Sequence, residues 1–76
     1  MFRIIILNPS EVIFEGLAES VFLPGSYGEL EVLDFHSPMI TTLKEGRIRV
    51  DNNFFNIKHG LARMNLNNEL VVLVDS

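Results

Sequence analysis

Leu23-Pro24-Gly25-Ser26-Tyr27-Gly28-Glu29-Leu30-Glu31-Val32-Leu33-Asp34-Phe35-His36-Ser37-Pro38-Met39-Ile40-Thr41-Thr42-Leu43-Lys44-Glu45-Gly46 is the stretch whose reading decides the fold. Within it, Glu29-Leu30-Glu31-Val32 alternates with the period of two that marks a strand with one wet face. Turn residues bound it on both sides: Pro24-Gly25 to Gly28 before it, and Asp34 to Pro38 after it, where the residue preceding a proline is pushed away from helical geometry. Met39 to Leu43 reads as the next short strand, stopped by Lys44-Glu45-Gly46. Short strands between tight turns, with no helical period anywhere, make the region β.

The same pattern extends outward in both directions. Phe2 to Leu7 is an isoleucine-rich run bounded by Asn8-Pro9 and reads as a strand buried on both faces. Glu11 to Glu15 is a second strand closed by Gly16. Leu17 to Leu23 alternates, with Leu17, Glu19, Val21 and Leu23 on one face. Downstream, Arg47-Ile48-Arg49-Val50 places two arginines outward and two aliphatics inward. Asp51-Asn52-Asn53 and Asn67-Asn68-Glu69 lie between apolar runs, and asparagine tolerates the left-handed backbone of tight turns, so two hairpins follow. Leu70 to Val74 reads as a central strand. Eight or nine short strands at roughly 8–12-residue spacing predict an all-β sandwich or barrel formed as a single domain over residues 1–76.

Composition narrows the function. A chain of 76 residues is expected to bury only about 60% of its unfolded surface. With 47% hydrophobic residues in so thin a core, some apolar surface is expected to face a partner. Ten acids against six bases give a net charge of -4, which argues against a nucleic-acid backbone as ligand. There is no cysteine, so disulfides and thiolate metal sites are excluded. The N-terminal apolar run is too short for a signal peptide or a membrane span, which predicts a soluble cytosolic chain.

Three arrangements suggest chemistry. Asp34 and His36 could form a metal pair, but two ligands do not make a zinc site, and hydrogen bonding of a tight corner accounts for both. Asp34, His36 and Ser37 hold the residue types of a hydrolytic triad, yet no Gly-x-Ser-x-Gly turn or comparable oxyanion loop accompanies them. Gly25 to Gly28 lacks the Lys-Ser/Thr of a phosphate loop and is followed by glutamates. Glu29 and Glu31, with Ser26 and Tyr27 at the tip of their strand, form an acidic patch that is either solvated or a docking surface. Arg47, Arg49 and Arg63 are either solubilising charges or the counterpart of an acidic partner.

Taken together, Leu23-Pro24-Gly25-x-x-Gly28-Glu29-x-x-Val32-Leu33-x-x-His36-x-Pro38-x-x-Thr41-x-Leu43-x-x-Gly46 resembles the N-terminal β-sandwich domain of the epsilon subunit of F-type ATP synthases, the delta subunit of mitochondria. The flanks agree: Pro9, Phe14-x-Gly16-x-Ala18-Glu19-x-Val21, Gly60-Leu61-Ala62 and Val72-Leu73-Val74-Asp75. The resemblance implies a non-catalytic central-stalk rotor subunit that bridges the gamma subunit and the membrane c-ring, peripheral at the cytoplasmic face of a bacterial inner membrane or the matrix face of an organelle. It implies that Ser26, Tyr27, Glu29 and Glu31 face the c-ring loops, and that His36, Ser37 and Pro38 lie at the same end, near gamma.

Phe35 stands where the family favours glycine, which implies an altered loop at that corner. The chain stops at Ser76, where the family continues into a regulatory helical hairpin, so neither autoinhibition nor ATP binding is expected and no cofactor or metal is implied. A second reading of the same residues is a stand-alone β-sandwich binding module.

Overall fold

The computed structural model describes residues 1–75; the expected chain end at Ser76 lies outside the described residues. Nine strands follow one another: β1 (Phe2–Leu7), β2 (Val12–Ala18), β3 (Ser20–Gly25), β4 (Gly28–Leu33), β5 (Met39–Leu43), β6 (Gly46–Val50), β7 (Asn53–Ile57), β8 (His59–Met64) and β9 (Glu69–Asp75). They form one sheet in the order β2-β1-β9-β8-β5-β3-β6-β7, with β4 paired to β3 off that path. The all-β class and the strand number agree with the sequence.

The sheet coils around a single apolar core to which every strand contributes. Phe2, Ile4 and Ile6 of β1, Leu23 of β3, Ile48 of β6, Met64 of β8 and Leu70 and Val72 of β9 are all but sealed from solvent. The two ends of the strand order meet across the core, where the rings of Phe14 in β2 and Phe55 in β7 lie 5.4 Å apart in a tilted pair. Curling in this way hides the inner face without a second, separate sheet.

Three local expectations are corrected. First, β1 is not buried on both faces: Arg3 is exposed and Ile5 and Leu7 only half-buried, because one side of the sheet lies outside the coil. Second, Gly16 does not close β2. It pairs with Ile4 inside the ladder, and a side-chain carbon placed there would meet the Phe14 ring at 3.6 Å, an ordinary contact. Third, Leu17 to Leu23 is not one strand of constant phase. Ala18 is buried and Leu17 exposed, while Val21 and Leu23 are buried. The chain bends at Glu19, where the Asp51 carboxylate accepts the Glu19 and Ser20 N–H groups, each at 3.1 Å.

The predicted hairpins form, with shifted turn chemistry. Between β6 and β7 it is Asp51, not an asparagine, that takes the left-handed backbone (φ 51°), whereas Asn68 does so between β8 and β9 (φ 59°). Strand β9 is central as expected, but its partners differ in sense: antiparallel to β8 and parallel to β1.

Candidate functional site

The β3–β4 hairpin brings Ser26, Tyr27, Glu29 and Glu31 together. Its ladder closes at the Gly25–Gly28 pair, and a side-chain carbon on Gly25 would lie 2.5 Å from the Gly28 carbonyl oxygen, so the tip accepts nothing larger than glycine there. Ser26 is tied back to β5: its N–H donates to the Thr42 carbonyl at 2.9 Å, and the Thr42 hydroxyl donates to Ser26 Oγ at 2.8 Å. Tyr27 is 99% exposed, a phenol presented wholly to solvent. Leu30 and Val32 turn to the core, which leaves Glu29 and Glu31 outside. Among the described residues neither glutamate has an ion-pair partner.

The corner bearing His36, Ser37 and Pro38 sits at the other end of β4, roughly 17 Å from the tip at about 3.3 Å per residue. The expectation that the two groups share one end is corrected: the paired length of β3 and β4 separates them. Phe35 adopts a left-handed backbone (φ 57°), the conformation glycine favours, although its ring is 81% exposed. Asn68 holds it there, its Oδ1 accepting the Phe35 N–H at 2.7 Å while its Nδ2 donates to Asp34 Oδ1 at 2.6 Å. The Met1 ammonium reaches Asp34 Oδ2 at 2.6 Å. His36 donates its N–H to the Leu33 carbonyl, and its Nδ1 lies 2.8 Å from the Ser37 carbonyl oxygen.

Hydrogen bonding from the Met1 ammonium and then from Asn68 holds the Asp34 carboxyl below its ordinary range. A carboxyl depressed in the folded state contributes stability above its unfolded pKa and loses it as pH falls through the folded value. Asp34→Asn is therefore expected to lower the urea midpoint at about pH 7, with the gap to wild type closing at about pH 2. Parallel urea titrations at the two pH values check this; a gap of equal size at both would contradict it.

Asp34, His36 and Ser37 do not form a relay. Among the hydrogen bonds of the described residues, Asp34 engages Met1 and Asn68, and His36 engages only backbone carbonyls. No group of three or more metal-binding side chains gathers among the described residues. Among the described residues no helix is long and apolar enough to cross a membrane.

The exposed apolar surface expected from composition lies elsewhere in the sheet, at a place the sequence reading does not locate. On the outer side of β1, β9, β8 and β5 the register aligns Ile5, Val71, Arg63 and Ile40 in one row and Leu7, Leu73, Leu61 and Thr42 in the next. Ile40 is 68% exposed and Leu73 47%. The signal was present in the uninterrupted apolar runs of β1 and β9, where strict alternation would have placed polar residues outside.

The whole chain, residues 1–76, matches the family described as "ATP synthase, Delta/Epsilon chain, beta-sandwich domain". It is 36% identical to an ATP synthase epsilon chain of Desulforamulus reducens over 97% of this chain, and 38% identical to one of Microcystis aeruginosa over 92%. It spans only 58% and 53% of those relatives, about half their length. In fold it is similar to a chain of the Tetrahymena thermophila mitochondrial ATP synthase central stalk/c-ring structure (TM-score 0.81, 14% identity, 99% of this chain and 63% of that one). It is similar too to a chain of the Euglena gracilis mitochondrial ATP synthase OSCP/F1/c-ring structure (TM-score 0.87, 18% identity, 96% and 49%). On the match along its entire length, the chain belongs to the β-sandwich domain family of the ATP synthase delta/epsilon chain.

Proposed function

We propose that this chain serves as a non-catalytic rotor element of an F-type ATP synthase central stalk, bridging the gamma subunit and the c-ring so that proton translocation is coupled to ATP synthesis. The observation that carries the reading is the apolar outer face formed by Ile5, Leu7, Ile40, Leu61, Val71 and Leu73. Clustered apolar surface, here interrupted by Arg63 and edged by Thr42, marks a protein interface.

In this reading the face and the His36-Ser37-Pro38 corner act together on gamma, since Pro38 leads directly into β5 and Ile40. Ser26, Tyr27, Glu29 and Glu31 meet the polar c-ring loops, where a basic side chain opposite Glu29 supplies the complementary charge. The domain is peripheral to the membrane, held at its cytoplasmic or matrix face through the complex.

Copurification tests the reading. Tagged chain extracted from membranes in mild detergent is expected to bring down the gamma and c subunits together. Recovery of the chain without either would support the stand-alone binding module instead.

A further inference from the structure

The outer face of β4, β3, β6 and β7 is organised differently from the apolar one. The register places Glu31, Phe22, Arg49 and Phe54 in a single row across the four strands. Strands β4 and β6 both run antiparallel to β3, so stepping two residues along each brings Glu29 level with Arg47. The face thus carries an acidic stripe on β4 and a basic stripe on β6, about 9.6 Å apart at two strand spacings, with the Phe22 ring between them.

Both guanidiniums are held in place by aromatic rings. Arg49 Cζ lies 4.9 Å from the Phe22 centroid, and Arg47 Cζ lies 4.8 Å from that of Phe54. Arg49 Nε also donates to the Asp51 carbonyl at 2.8 Å. Among the described residues none of the four charges has an ion-pair partner. Arginines fixed on rings lose little freedom on binding, which is why they are favoured at interfaces.

We propose that this face is a self-complementary docking surface for a second copy of the chain. A purely acidic partner would meet Glu29 and Glu31 as well as the arginines, and a purely basic one the reverse. The matching partner must carry base, apolar ridge and acid in mirrored order. A second copy turned about a two-fold axis along β3 does so, with Glu29 opposite its Arg47, Glu31 opposite its Arg49, and Phe22 upon Phe22. A two-fold axis across the strands sets acid against acid, so the charge order selects one geometry.

The patch is small, roughly 300 Å² per copy from four strands and six residues of length, below what a permanent dimer needs. The association is therefore weak and sensitive to salt. It rests on the isolated chain's own surface and not on the rotor reading; if that reading holds, a second copy and the c-ring compete for Glu29 and Glu31.

Sedimentation equilibrium of the full chain tests the proposal. At about 20 mM salt and protein from about 20 µM to about 1 mM, the average mass is expected to rise toward twice the monomer value, and to return to monomer at about 0.5 M salt. The variant carrying Arg47→Glu and Arg49→Glu, and the variant carrying Glu29→Lys and Glu31→Lys, should each lose self-association by about tenfold or more. An equimolar mixture of the two should form a heterodimer. Wild-type protein that stays monomeric throughout, or dimerises equally in high salt, overturns the proposal, as does a mixture that remains monomeric while both variants keep their circular dichroism.

Discussion

Leu70→Ala is expected to lower the melting temperature by about 10–30 °C, the largest stability loss foreseen for a single aliphatic truncation here. Leu70 is fully buried on β9, between Ile4 of β1 and Met64 of β8, where it links the parallel and antiparallel halves of the sheet. Truncating a buried leucine costs about 2–5 kcal/mol, since transfer energy is lost and a cavity stays behind. A domain of this length holds only about 4–11 kcal/mol in total, at about 0.05–0.15 kcal/mol per residue. Thermal melting followed by circular dichroism checks the expectation. A shift under about 5 °C would mean that the β1–β9–β8 seam is not where the fold is fastened.

The second large effect concerns binding rather than stability. Leu73→Glu is expected to weaken association with gamma by about 30-fold or more, about 2 kcal/mol, because a carboxylate would be buried between Leu7 and Leu61, and Ile40→Glu by less, since it would stand opposite Arg63. Ile40 is mostly and Leu73 about half solvent-accessible in the free domain, so melting should move little, by no more than about 1 kcal/mol of strand preference. The contrast separates this prediction from the first: binding falls while the fold stands. Titration of purified gamma with wild-type and variant protein provides the measurement. Unchanged affinity in both variants would remove the outer face from the interface.

What was legible in the sequence follows the range of the interactions that specify it. The hairpins β3–β4, β6–β7 and β8–β9 are local, and Gly25, Gly28 and the Asp51 and Asn68 turns announce them through chemistry at fixed short spacing. The parallel pairing of Phe2–Leu7 with the last strand joins opposite ends of the chain, and nothing in either segment names its partner. The error at β1 has the same origin. An apolar run does not tell which of its two sides the sheet encloses, and Ile5 and Leu7 lie half-buried on the outer side.

The candidate site divides similarly. Ser26, Tyr27, Glu29 and Glu31 lie on one hairpin, where period-two reading suffices to place them together. The geometry of the His36 corner depends on Asn68, thirty-odd positions away, which fixes the left-handed backbone of Phe35. No local signal carries that contact. The apolar outer face is assembled from four strands that are mostly not neighbours in sequence, and it appears only once the strand order is known.

Glu29→Lys tests the central claim most directly, namely that the β3–β4 tip docks the domain onto the c-ring. Glu29 is exposed and unpaired among the described residues, so the substitution should leave folding intact while setting like charge against a basic loop, at a cost of several kcal/mol. In membranes carrying the variant, rotor assembly and ATP-driven proton pumping are expected to fall well below the wild-type level. Full assembly and full pumping with lysine at this position would contradict the account.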